Sequence, residues 1–222
     1  MTAIGCAGCL VAVAACLLAP AGARAQTAEG RMDVAFGARW VGAATLGSAE
    51  ARLTTADGGT RVLFETHSEL TPVRTIEAAV HIRVARFLRI GGSVSSGRSR
   101  METRITADFE GAPDTVVSER VTEFAIGGVV AADLRPMAGA RFRPFIAAGA
   151  GHLRHVHEGR PLVEIGRLYH VGGGADYVLR GRGGPALGVR VDLRAVLRSQ
   201  GLFADGGLHA SPAVAGSLFV RF

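Results

Sequence analysis

The residues in this 222-residue chain whose types and spacing could do chemistry begin with His209 and Ser211, separated by one residue. Side chains of an extended strand alternate between faces, so the imidazole and the hydroxyl share one. That is the arrangement in which a base activates a serine nucleophile. Against it, Pro212 follows at once, a turn sequence lies close by, and no acidic residue that would orient the histidine is evident. His152, His155, His157 and Glu158 form the densest group of metal-ligand types. Only His155 and His157 share a strand face, and a structural zinc site wants four convergent ligands. The group therefore reads as a polar strand end at the surface. Gly172, Gly173 and Gly174 lack the following helix that a phosphate cradle needs. Arg190, Asp192 and Arg194 could line an ion path, but salt-bridged filling accounts for them better. No catalytic, cofactor-binding or metal site is expected.

The segments that would position these residues alternate with period two. Val34, Phe36, Ala38 and Trp40 oppose Asp33, Ala35, Gly37 and Arg39, predicting a first strand that runs on to about Thr55. Ala56-Asp57-Gly58-Gly59 is a turn of the D-G type. The return strand is clearest from Ile76 to Val84 and reverses near Ala85-Arg86. A third strand runs from Leu88 to Phe109, and Glu110 to Asp114 breaks it. The fourth climbs from Val116 through Phe124, Ile126, Gly128 and Val130, and Leu134 to Arg141 turns it. Phe142 to about His157 is a fifth strand, with Pro144 near its start, where a missing ladder donor does least harm. Tyr169 to Arg180 is a sixth.

Leu187 to Arg198 is the sharpest segment: Leu187, Val189, Val191, Leu193, Ala195 and Leu197 are apolar, while Arg190, Asp192, Arg194 and Arg198 lie between them. Ala204 to Gly207 repeats the turn chemistry, and Ser211 to Phe222 closes the series. That makes eight strands.

Residues 1–25 read as a signal peptide, with an apolar run from Ile4 to Pro20 and an Ala23-Arg24-Ala25 cleavage pattern before Gln26. The run is too short for a spanning helix of about 20 residues. Cys6, Cys9 and Cys16 all fall in it, so the exported chain, residues 26–222, is expected to carry no thiol. Val13 to Cys16 also has the look of a lipobox, which would make Cys16 a lipidated terminus. The formal net charge of the whole chain is +6, carried by Arg without Lys. Its basic residues alternate with apolar ones and do not cluster, which argues against a nucleic-acid partner.

In hydrocarbon every backbone donor and acceptor must be paired internally, so strands cross a bilayer only as a closed barrel. The apolar face then meets lipid and the polar face turns inward. The inward set is Asp33, Glu77, Glu123, Asp176 and Asp192 against Arg39, Arg83, Arg89, Arg190, Arg194 and Arg221. Eight strands enclose only enough room for side chains, so a salt-bridged plug is expected and an open pore is not.

Arg143 to Gly151, Val171 to Tyr177, Gly188 to Arg194 and the terminal Phe222 resemble the small outer-membrane β-barrel family of the OmpA transmembrane type, over nearly all of residues 31–222. The resemblance implies an all-β fold, a closed antiparallel eight-stranded transmembrane barrel, in the outer membrane of a Gram-negative cell. It implies outer-membrane lipid and lipopolysaccharide as surroundings, the barrel-assembly machinery acting through the last strand with Phe222 as its signal, and a monomer without cofactor. Trp40, Tyr169 and Tyr177 are the chain's only Trp and Tyr, so its aromatic girdles would be mostly Phe. His209 and Ser211 also invite comparison with lipid A deacylase barrels. A structural or surface-interaction role is expected, with external hairpins open to an extracellular protein partner; a lipid A hydrolase and a small channel are the alternatives.

Overall fold

The computed structural model describes residues 31–54, 57–106, 109, 113–134, 141–159, 161–180, 184–203 and 207–222. The expected signal peptide with Cys6, Cys9 and Cys16, and the turn residues Ala56, Glu110 to Ala112, Pro136, Gly139, Arg160, Gly181 and Ala204 to Gly206, lie outside them.

The alternating segments form ten antiparallel strands among the described residues: β1 (Met32–Val41), β2 (Ala44–Thr54), β3 (Thr60–Leu70), β4 (Val73–Ala85), β5 (Leu88–Thr106), β6 (Thr115–Asp133), β7 (Phe142–His157), β8 (Val163–Arg180), β9 (Ala186–Gln200) and β10 (His209–Arg221). Eight of them, β1, β4, β5, β6, β7, β8, β9 and β10, pair in a ring, because β10 bonds back to β1 from Arg221↔Asp33 to Ala213↔Val41. Phe222 extends this seam, its N–H donating to the Met32 carbonyl at 2.8 Å.

The ring is staggered. From Met32 the partners run through Ile82, Ile90, Val130, Ala148, Val171, Ala195 and Pro212. The path returns at Gly42, whose N–H donates to the Pro212 carbonyl, ten residues (42 − 32) along β1 from its start. Such a stagger is what a closed, tilted sheet requires.

The expected first and second strands are each divided. β1 gives way to β2 at residues 42–43, and β3 to β4 at Thr71-Pro72. Pro72 has no N–H for the ladder, and the α-carbon of Gly42 lies so close to the Pro212 ring that an added Cβ would sit 3.1 Å from it. Beyond this break β3 replaces β4 beside β5, pairing from Leu70↔Met101 to Glu65↔Thr106, and among the described strands β2 pairs with β3 alone. At its tip, Gly58 takes φ +80°, which a D-G turn needs, and the Gly59 N–H reaches the Asp57 carboxylate.

β5 and β6, at 19 residues each, are the longest strands. At about 3.3 Å per residue each runs about 60 Å, well past the end of β4. The molecule thus has a terminal end, carrying residues 31 and 222, and a hairpin end that projects.

Inside the ring, Val41, Val73, Ala125, Leu153, Leu168, Val196 and Ala213 form one buried apolar layer. Nearer the hairpin end, Ala44, Leu46, Leu70 and Phe203 form a second cluster with Met101 and Leu202 against it. It lets the turn after β9 cork the ring. On the outside the order is reversed: Phe36, Ile76, Ile126, Leu193 and Leu218 are each about 60% exposed, between 59% and 62%.

Candidate functional site

The most organised chemistry lies inside the ring, where alternation delivers charged side chains from neighbouring strands at matched register. Asp33 on β1 stands opposite Arg221 on β10, and Asp176 on β8 opposite Arg190 on β9. Arg221 places Nε 2.6 Å from Asp33 Oδ1 and Nη2 3.2 Å from Asp176 Oδ2. Arg190 places Nε 2.7 Å from Asp176 Oδ1 and reaches Asp33 at 3.4 Å. Arg89, from β5 across the ring, donates to Asp176 at 2.9 Å and to Asp33 at 3.3 Å. Arg83 and Arg89 are opposite each other in the β4–β5 register, and Asp133 at the end of β6 lies between them, 2.7 Å from Arg89 and 3.5 Å from Arg83.

Four guanidiniums thus share three carboxylates. Phe145 and Phe219 shield them: Arg89 and Arg190 lie 5.0 and 5.5 Å from the Phe145 ring centre, and Arg190 and Arg221 5.4 and 5.0 Å from that of Phe219. A cation over a ring face is attracted by the ring quadrupole, more so when desolvated.

One step toward the hairpin end, Glu77 holds Arg39 at 2.8 Å and Arg194 at 3.2 Å; Arg194 also donates its Nε to Asp192 at 2.5 Å, and Arg39 donates to Ser95 Oγ at 2.9 Å. Between these two groups is a cavity of about 40 Å³, lined among others by Glu77, His81, His170, Arg89 and Arg190. That is room for a few water molecules, at about 10–15 Å³ of such volume each. Above it the apolar layer crosses the ring. On the far side of that layer a third group follows, with Glu123 3.1 Å from Arg198 and 3.6 Å from His155 Nε2.

All ten charged residues singled out from the alternation, Asp33, Arg39, Glu77, Arg83, Arg89, Glu123, Asp176, Arg190, Asp192 and Arg194, face into the ring. The structure brings them together in these three groups, and places Phe222 outside, half-exposed. The histidine group departs from its expected place. His155 and His157 are buried inside, beside Glu123 and 3.0 Å from Glu119 respectively, while His152 and Glu158 are exposed. The cause is the length of the strands: β7 continues inside its neighbours past the apolar layer, so its inward parity still points to the interior at residue 157.

Sequence reasoning passed over Asp133, His81 and His170, which share the inward parity of their strands, and the inward Phe145 and Phe219. Ser211 is 2% exposed and donates its hydroxyl to the Ala43 carbonyl at 2.9 Å. The His209 ring is stacked on Phe203, with centres 4.4 Å apart. The hydroxyl proton that a nucleophile would give to a base is therefore held by the backbone.

No protein-family model matches the chain, and no curated protein matches it in sequence. Its fold is similar to that of solved small outer-membrane β-barrel proteins. Neisserial surface protein A superposes with a TM-score of 0.52 at 12% identity, over 88% of this chain and 100% of that one. OprG from Pseudomonas aeruginosa gives 0.45 at 10% identity, over 86% and 93%, and Ail of Yersinia pestis 0.41 at 10%, over 88% and 100%. The architecture of this chain is accordingly that of a small outer-membrane β-barrel of the eight-stranded type.

Proposed function

We propose that this chain is a monomeric outer-membrane barrel of a Gram-negative bacterium, non-catalytic and non-conducting, with a structural or surface-interaction role. The observation that carries the reading is the inversion of polarity. The ring buries its carboxylates and guanidiniums while Phe36, Trp40, Ile76, Ile126, Leu193 and Leu218 stand outward. Each large apolar side chain left in water forgoes about 1.5–3 kcal/mol, so a belt of them around the molecule calls for a hydrocarbon surrounding.

Residues 1–25 would serve as the export signal, and the terminal end, with both chain ends of the ring, would face the periplasm. The hairpin end would then project outside the cell, where β2, bonded among the described strands to β3 alone, offers a strand edge to a protein partner. Phe222 would present the last strand to the assembly machinery. The apolar layer and the Phe203 cork support a closed interior, and the engaged Ser211 hydroxyl supports a role without hydrolysis.

The test is fractionation of cells making the protein, with gel mobility compared before and after boiling. Recovery in the outer membrane with heat-dependent mobility is expected. A soluble periplasmic protein with unchanged mobility would refute the proposal.

A further inference from the structure

Outward-facing side chains on β4 to β6 change character toward the hairpin end. On β4 the apolar series Val84, Ile82, Val80, Ala78, Ile76 is followed by Arg74; on β5, Ile90 to Ser96 is followed by Arg98 and Arg100. On β6 Arg120 lies two outward positions beyond Phe124; on β7 Arg154 follows His152 with Val156 beyond it, and on β8 Arg167 follows Tyr169 with the exposed Ile165 and Val163 beyond it. Three neighbouring strands, β4, β5 and β6, thus pass from their apolar series to a base, and the next two carry one within theirs.

The registers sharpen the point. Arg74 is directly opposite Arg98, and Arg100 directly opposite Arg120. Opposed residues in antiparallel strands have Cβ atoms about 5 Å apart, and like charges there are destabilising. Little compensates them: among the described residues Arg74, Arg100 and Arg120 make no ion pair, and the one carboxylate beside them, Glu158, meets Arg98 at 3.8 Å, with the Arg98 side chain 83% exposed. The acidic row of Glu69 and Glu102, also opposed, begins one row further toward the hairpin tips.

We infer that this partial collar of Arg74, Arg98, Arg100 and Arg120 binds the phosphate groups of the glycolipid in the outer leaflet. The inference rests on the outer-membrane reading and adds a site to it. The reasoning is chemical. The bases face the same way as the lipid-facing side chains, at the hairpin-end border of the belt, which is the level at which lipid phosphates lie. Guanidiniums present paired donors that match phosphate oxygens bidentately, and a doubly charged phosphate between two opposed arginines removes the repulsion that the bare protein carries. The belt on β9, β10 and β1 ends without such a base, so the collar covers one side only.

The test uses the full-length protein extracted from membranes in detergent. Its binding of lipopolysaccharide is measured against the same glycolipid after enzymatic dephosphorylation, with heat-dependent gel mobility recorded on each sample. Removal of the phosphates is expected to weaken binding at least tenfold. The variant R74S/R98S/R100S/R120S is expected to lose a similar factor, and R52S/R61S, on the β2–β3 hairpin, to lose none. Equal binding of the dephosphorylated glycolipid by wild-type protein would overturn the inference without any variant, as would tighter binding of soluble dextran sulfate. Wild-type protein lacking heat-dependent mobility would instead refute the barrel reading beneath it.

Discussion

Asp176 on β8 and Arg190 on β9 stand directly opposite each other, with Arg190 Nε 2.7 Å from Asp176 Oδ1, and the same carboxylate is shared with Arg89 and Arg221. Burying two charges is costly, and their attraction roughly offsets that cost; removing one partner leaves the other buried and uncompensated. Replacing Asp176 with Asn would leave four guanidiniums with two carboxylates, Asp33 and Asp133, between them. A loss of about 3–5 kcal/mol is expected, read as a lower urea midpoint for unfolding in detergent or vesicles. Asp192→Asn, which removes a partner of Arg194 alone, should cost clearly less.

Gly149 makes a separate prediction about packing. A Cβ there would collide with the His170 imidazole, Nε2 lying 2.6 Å away, and with the Gly128 carbonyl. The glycine is thus the floor on which the His170 ring rests. Gly149→Val should block folding or lower the unfolding midpoint severely, whereas Gly216→Ala, with nothing within 4 Å of its added Cβ, should be tolerated. Boiled and unboiled gel mobility distinguishes the two.

Ser211 should behave as a structural hydroxyl. Its bond to the Ala43 carbonyl ties β10 to the kink between β1 and β2. Ser211→Ala is expected to cost about 1 kcal/mol, the worth of one such bond, and to leave lipid A acylation in isolated membranes unaltered. Deacylation by the parent protein that vanishes in the variant would restore the hydrolase alternative.

The closed interior predicts no stepwise conductance in a planar bilayer. The apolar layer, which includes Leu153 and Leu168, crosses the ring beside the small cavity. Reproducible single-channel currents from the purified protein would contradict this account.

How far the chain could be read in advance follows from parity. Leu187 to Arg198 has its apolar and charged sets on opposite faces almost without exception, and a strand of that kind declares both its lipid face and its inward charges. The inward Val41, Val73, Leu153, Leu168 and Val196 were not legible, because an apolar residue on the polar face looks like an interruption of the pattern. They become a layer only when seven strands bring them to one level. Asp133 was hidden for another reason: it stands at a strand end, and its value comes from reaching Arg89 and Arg83 on other strands. The kinks at Gly42 and Pro72 depend on the meeting of Gly42 with Pro212 on β10, distant in the chain. His155 and His157 were misplaced because chain-local reasoning took the apolar stretch for the whole depth of the interior.

The removal of Phe222 tests the terminal seam. Its backbone bonds to Met32 at both N–H and carbonyl, so deletion takes two hydrogen bonds from the β1–β10 junction together with the outward ring. Slower assembly and less protein in the outer membrane are expected, measured by pulse labelling. Unchanged insertion would show that the residue has no part in assembly.

The central claim, lipid outside and charge inside, is tested most directly along β9. Single cysteines at each position from 187 to 197, in a background with Cys6, Cys9 and Cys16 replaced, can carry spin labels in protein reconstituted into bilayers. Accessibility to oxygen dissolved in the lipid should alternate with period two, with maxima at Leu187, Val189, Val191, Leu193, Ala195 and Leu197. The opposite phase, or accessibility to a water-soluble relaxant at those odd positions, would contradict it.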